Sequence, residues 1–269
     1  MITFPNAKIN IGLHIVEKRA DGYHNLETVF YPLPVYDVLE FVEAKQKTAL
    51  HTSGIHIPEG GTNLCLKAFD LLKENFQLPE LEIYLHKHIP IGAGLGGGSA
   101  DAAFFLKSVN DSFGLELTTA QLCAYAARLG ADCPFFIENK PVYAYDIGTS
   151  FEPVELDLSS YYIVMIKPDI HISTAEAYAN VSPQVSDINL KEAVRLQVQE
   201  WKFLIGNDFE DGLFERYPLI KSLKEACYES GALYASMSGS GSAVYAIFKE
   251  KVNVDHLQQF GKVYYPTIL

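Results

Sequence analysis

Between residues 90 and 101 the chain reads Pro90-Ile91-Gly92-Ala93-Gly94-Leu95-Gly96-Gly97-Gly98-Ser99-Ala100-Asp101. Five glycines in that span allow positive φ and close backbone approach, so several amide N–H groups can converge with no Cβ in the way. A helix expected over residues 99–113 adds the free N–H groups of its first turn and its positive dipole end. Together these suit a phosphate. The Ser99 hydroxyl is available to cap the helix, or to bind a phosphate oxygen or a magnesium ion. Gly92, Gly94 and Gly97 also meet the Gly-x-Gly-x-x-Gly spacing of dinucleotide sites, which would suit a nicotinamide-dependent oxidoreductase. Here, however, the loop follows a half-polar strand, and no clear Asp or Glu ends a second strand nearby. A Walker loop is excluded, because no Gly-Lys-Ser/Thr follows.

The elements that must position this loop can be read from periodicity. Residues 9–16 and 28–42 are rich in strand formers, the second run broken by Pro32 and Pro34. Residues 81–89 alternate, with Leu81, Ile83, Leu85 and Ile89 on one face together with Lys87, which suits an antiparallel strand with one wet face. Asn63 reads as the N-cap of a helix, and Thr118 with Gln121 as a capping box opening another that Gly130 would close. From about residue 151 the pattern restarts, with a strand at 161–167, helices at 191–205 and 218–230, a Gly/Ser-rich stretch at 235–241 and a strand at 243–249. This predicts an α+β chain of two halves, residues 1–150 and 151–269.

The length of 269 residues, 48% of them hydrophobic, provides for a sizeable core. The net charge of -12 argues against nucleic-acid or anionic-membrane partners, which need a basic footprint. No run approaches the ~18 apolar residues of a membrane span, and no secretory signal is visible, so a soluble cytoplasmic protein is expected. Cys65, Cys123, Cys133 and Cys227 are scattered and read as reduced thiols. His86 and His88 share a strand face without an obvious third ligand, so a zinc site is not expected.

Three ordered segments, Pro5-Asn-Ala-Lys-Ile-Asn-Ile-Gly12, the glycine loop and Ser238-Gly-Ser-Gly-Ser-Ala243, resemble the three motifs of the small-molecule kinases named for galactose, homoserine, mevalonate and phosphomevalonate (GHMP kinases). Within that family, Arg19-Ala-Asp-Gly-Tyr-His24 and Gly130-Ala-Asp-Cys-Pro134 resemble the branch acting on a cytidine diphosphate-linked methylerythritol in the non-mevalonate isoprenoid route. The resemblance implies a two-domain α+β fold with a cleft between an N-terminal ATP-binding half and a C-terminal half. It implies ATP and Mg²⁺ as cofactors and phosphorylation of the 2-hydroxyl of that substrate. A mevalonate- or homoserine-type kinase is the alternative within the family.

Residue by residue, the resemblance makes Asp132 the group that accepts or orients the hydroxyl proton, and Lys8 its cationic companion. Asn10 would orient substrate, His24 would read the cytosine edge, and Tyr23, Phe30 and Tyr178 would pack or stack nearby. Thr174 would lie near the cytidine or its phosphates, and Gly239 and Gly241 would form a third glycine turn. On the nucleotide side, residues from Pro90 to Ser99 would cradle phosphates, Asn63 would contact adenine and Lys87 would add positive charge. Read without the family, Lys8 and Lys87 would be solvated strand lysines, Asp132 a capping aspartate and Asn10 a structural amide. The protein ligands of the metal and the oligomeric state are not legible.

Overall fold

The structure, a computed structural model, describes residues 1–58, 60, 62–179 and 181–266. The chain opens with strands β1 (Ile2–Thr3), β2 (Asn6–Lys18), β3 (His24–Tyr36), β4 (Val38–Glu43) and β5 (Ala49–Gly54), then helix α1 (Leu64–Lys73) and strand β6 (Leu81–Lys87). Helices α2 (Gly97–Phe113), α3 (Thr119–Ala127) and α4 (Phe135–Glu138) follow, then strands β7 (Val142–Tyr145), β8 (Ser150–Pro153) and β9 (Tyr162–Lys167). The remainder is α5 (Thr174–Ala179), α6 (Leu190–Ala193), α7 (Val198–Leu204), α8 (Phe209–Arg216), α9 (Pro218–Glu229), β10 (Tyr234–Met237), β11 (Val244–Phe248) and β12 (Lys262–Tyr264).

These elements form two compact units that interleave along the sequence. One comprises residues 1–7, 34–91 and 96–140, the other residues 8–33, 92–95 and 141–269. A single cut near residue 150 therefore does not describe the packing, because the strands expected to belong wholly to the first half contribute to both units.

The first unit is built on a sheet of order β1-β4-β6-β5. Strand β6 alternates as its sequence predicts, with Leu81, Ile83, Leu85 and Lys87 buried and Tyr84 and His86 exposed. Its neighbours are mixed, antiparallel β4 on one side and parallel β5 on the other. The polar Ala49–Gly54 run hides β5 from a periodicity reading, because an exposed edge strand need not be apolar. Helices α1 and α2 pack together, and Phe105 of α2 meets Phe41 at 5.5 Å and Phe69 at 6.2 Å in edge-on geometry. Asn63 caps α1 by accepting the Cys65 N–H, and the Thr118–Gln121 capping box opens α3, both as the sequence predicts. Helix α3 ends at Ala127, ahead of Gly130, which leaves residues 128–134 as a turn.

The second unit holds two sheets, β2-β3-β7-β8 and β10-β11-β9-β12. Leu13 and Ile15 of β2 share an apolar core with Val164 and Ile166 of β9, Phe209 and Leu213 of α8, Leu223 of α9, and Val244 of β11. The helix expected over residues 191–205 is two short ones, α6 and α7. The break falls where Gln197 and Glu200 form a capping box that starts the second helix afresh. Pro218 occupies the first turn of α9, where its missing N–H costs nothing.

Candidate active site

The glycine loop leaves β6 through residues 88–91 and enters α2 with Gly92, Gly94 and Gly96 all at positive φ. Helix α2 begins at Gly97, two residues earlier than expected. Its N-cap is Gly96 in the left-handed conformation, so Ser99 lies inside the first turn and is not the cap. Ser99 instead hydrogen-bonds Cys133, whose thiol burial pushes up to about 11. The first-turn N–H groups thus have no capping side chain.

Within the second unit, three sequence-distant segments meet at one hydroxyl. Ser238 Oγ donates to the Gly94 carbonyl at 2.9 Å and accepts the Asn10 N–H at 3.2 Å. The Lys8 N–H bonds Leu95 O at 2.9 Å, and Tyr245 donates to Asn10 O at 2.9 Å. Contact is so close that a Cβ on Gly94 would fall 1.9 Å from Ser238 O. Gly239 and Gly241 have φ of +55° and +83°, and Asn207 holds their turn by donating to Met237 O and Gly239 O at 2.9 Å each. A Cβ on Gly92 would meet the His171 ring at about 3.0 Å.

Lys8 and Asn10 are buried, so neither is a solvated strand residue. Lys8 Nζ donates to Asn10 Oδ1 at 2.6 Å and lies 4.6 Å from the centroid of the Phe30 ring. Asn10 Nδ2 donates to Thr28 Oγ1, which in turn donates to Gly12 O. Phe30 is thus a buried ring under the ammonium, with Phe151 6.1 Å away, rather than an open stacking face. His24 stacks on Tyr178 at 4.7 Å with 23° between planes, and Tyr178 meets Phe209 edge-on at 4.9 Å. Tyr23 is 62% exposed, its N–H bound to Asp21. Thr174 is exposed at the start of α5.

In the first unit, Asp132 is half-buried in the turn before α4. Asn6, two residues before Lys8, exchanges amide hydrogen bonds with Asn139 at the end of α4. Lys87 does not stand free beside the loop as expected. It is buried and ion-paired with both Asp37 and Asp101, the latter at 2.6 Å. Burial opposes its charge, but the Asp101 and Asp37 carboxylates together hold the ammonium above its ordinary value. Burial pushes the Asp101 carboxyl up to about 7, opposed by Lys87 and reinforced by Asp37. Sequence reasoning missed Asp37, Asn207, Thr28 and the bridging role of Ser238. Their hydrogen bonds span long sequence separations and leave no local pattern.

The glycines divide by what requires them. Gly94 is demanded by Ser238, and Gly97 by Ile89, whose Cγ2 would lie 2.9 Å from an added Cβ. Gly98 is exposed, has no positive φ, and an added Cβ would meet only Leu64 Cδ1 at 3.9 Å among the described residues. Nothing in the protein itself asks for glycine there. Space kept clear above a helix N-terminus is what a phosphate needs.

Comparison with known proteins gives the class first. Residues 63–140 match the family described as GHMP kinases N terminal domain, and residues 189–265 match GHMP kinases C terminal. A crystal structure of mevalonate kinase superposes with a TM-score of 0.71 over 98% of both chains at 14% identity, a likeness of fold. The fold is therefore that of a GHMP kinase, an ATP-dependent small-molecule kinase. Among curated relatives, the 4-diphosphocytidyl-2-C-methyl-D-erythritol kinase of Bacteroides fragilis is 55% identical over 94% of both chains. That of Parabacteroides distasonis is 54% identical over 93% of this chain and 92% of the relative. A crystal structure of 4-(cytidine 5'-diphospho)-2C-methyl-D-erythritol kinase matches with a TM-score of 0.83 at 30% identity, covering 98% of this chain and 97% of the other. The chain belongs to the 4-diphosphocytidyl-2-C-methyl-D-erythritol kinase family.

Two outcomes are expected. Gly98→Ala should leave thermal stability unchanged or raise it by about 0.5–1 kcal/mol, since alanine is the better helix former, while KM for ATP rises about 10-fold or more. Unchanged KM would show that the cleared space serves no ligand. The second concerns pH. The Asp101 carboxyl titrates near 7 when folded against an ordinary value of 3.8, so the folded state holds an extra proton between those values. Its contribution to stability is complete below the lower value and is lost as pH rises through about 7. Asp101→Asn removes that loss, so urea unfolding at pH 5.5 and 8.5 should show the variant gaining on the wild type as pH rises.

Proposed function

We propose that this chain transfers the γ-phosphoryl group of ATP to the 2-hydroxyl of 4-diphosphocytidyl-2-C-methyl-D-erythritol. The clear space at Gly98, above uncapped N–H groups, is the observation that carries the nucleotide half of this reading. High identity to relatives of that name over nearly their whole length supports the second substrate. The mevalonate-type alternative has only a shared fold behind it.

In this reading the segment from Pro90 to Ser99 surrounds the ATP phosphates with backbone amides, and Asn63 lies toward the adenine. Magnesium travels with the nucleotide and neutralises phosphate charge. Among the described residues no cluster of three His, Cys, Asp or Glu side chains could hold a metal by itself, which fits a metal bound chiefly through phosphate. Phosphoryl transfer then asks the protein for positioning and charge. Asp132 receives the proton of the attacking hydroxyl. An aspartate is a weak base towards an alcohol, so that transfer comes late and the carboxylate mainly orients the nucleophile. Lys8 supplies positive charge as the alkoxide develops, and Asn10 fixes the direction of its ammonium. His24 and Tyr178 offer the aromatic surface and hydrogen-bonding edge a cytosine requires, with Tyr23 alongside. Phe30 seats Lys8, Thr174 approaches the cytidine phosphates, and the Gly239–Gly241 turn lines the substrate side.

Purified protein with ATP and magnesium should release ADP with the cytidyl substrate, and far less with mevalonate or homoserine. No ADP with the cytidyl substrate would reject the assignment. Asp132→Asn and Lys8→Ala should each lower kcat by about 100-fold or more while the circular dichroism spectrum is retained. His24→Ala should raise KM for the cytidyl substrate about 10-fold and leave KM for ATP near its starting value. The reverse pattern would move His24 out of the cytidine site.

A further inference from the structure

The strand entering the glycine loop and the helix leaving it are joined by a buried ionic group that the reaction above does not use. Asp37, fully buried between β3 and β4, accepts the N–H groups of His88 at 2.6 Å and Ile89 at 2.9 Å on one oxygen. Its other oxygen accepts the Lys87 ammonium. Lys87 Nζ also donates to Asp101 Oδ2 at 2.6 Å, on the second turn of α2. The backbone N–H of Asp37 bonds Pro5 O at 2.9 Å, which anchors the group on the chain just before β2. An added Cβ on Gly97 would lie 3.4 Å from Lys87 Nζ, so the first turn of α2 rests directly on this group.

Stability is a poor explanation for such an arrangement. Taking an ammonium and two carboxylates out of water costs about as much as their attraction returns, and apolar side chains of similar volume commonly stabilise as well. Directional bonds do something apolar packing cannot, since they fix the end of β6 against the start of α2. The loop between them then has both ends held, and the entropy of ordering it is removed before a ligand arrives.

We propose that Asp37, Lys87 and Asp101 are positioning residues for ATP, a clamp on both ends of the glycine loop that aims the α2 N–H groups at the phosphates without touching them. This rests on the nucleotide reading of the loop, and it replaces the direct contact expected of Lys87. Disturbing the clamp should affect ATP and spare the second substrate.

The experiment uses the full-length protein. Asp101→Ala leaves Lys87 paired with Asp37, so no lone charge is buried, and Asp101→Asn retains an acceptor for the ammonium. The double variant Lys87→Met/Asp101→Leu replaces the ion pair with apolar groups. ADP release, calorimetric MgATP binding and thermal unfolding are measured on each. Asp101→Ala and the double variant should raise KM and Kd for ATP about 10-fold, with KM for the cytidyl substrate within about twofold. Asp101→Asn should restore most of the loss, and the double variant should melt close to the wild type. ATP constants that stay within twofold, both KM values rising in step with falling Tm, or failure of both clamp-breaking variants to fold would each overturn the clamp. Wild-type protein that does not bind MgATP would overturn the reading of the loop itself, and the clamp with it.

Discussion

The Ser238 hydroxyl is the joint on which the second unit's part of the site depends. It has one proton to donate and lone pairs to accept with, and it uses both, towards the Gly94 carbonyl and the Asn10 amide. The strand bearing Lys8 and Asn10, the bend of the phosphate loop and the third glycine turn are thereby fixed against one another. Each of these is weak as a structure alone. The glycine segments lose more entropy on ordering than other residues, and Lys8 is costly to bury. Buried hydrogen bonds to backbone offset both, and in doing so set the position of the ammonium.

The same economy explains how a chain of net charge -12 handles polyphosphates. The global field has the wrong sign, so affinity must come from short-range donors. Backbone amides at a helix start serve this purpose because their dipoles are fixed and carry no counter-charge. Cationic side chains are kept local, with Lys8 held to Asn10 and Lys87 between two carboxylates. Net charge bears on partners with extended charged surfaces, and it has no resolution at the scale of one phosphate.

Much of this was legible in the sequence because its causes are local. Glycine spacing, the Asn63 cap, the Thr118–Gln121 box and the alternation of β6 each depend on residues within a few positions of one another. What was not legible depends on partners far along the chain. Lys87 reads as a solvated lysine until Asp37 and Asp101, 50 and 14 residues away, are seen to enclose it. Phe30 reads as a stacking ring until Lys8 is found over it. Ser99 reads as a cap because serine usually is one at a helix start, yet the glycines before it let the helix begin two residues sooner. The parallel edge strand β5 was hidden by its polar composition, and α8 by its high charge.

The interleaving of the two units bears on how the chain could be dissected. The backbone passes between them at residues 7/8, 33/34, 91/92, 95/96 and 140/141. A fragment ending near residue 150 would carry β2 and most of β3 without the sheet and helices they pack on, and the complementary fragment would lack its own central strands. Neither piece is a self-sufficient folding module. Duplication, swapping or transplantation of one half would therefore not carry its ligand site with it, and the chain is an evolutionary unit only as a whole.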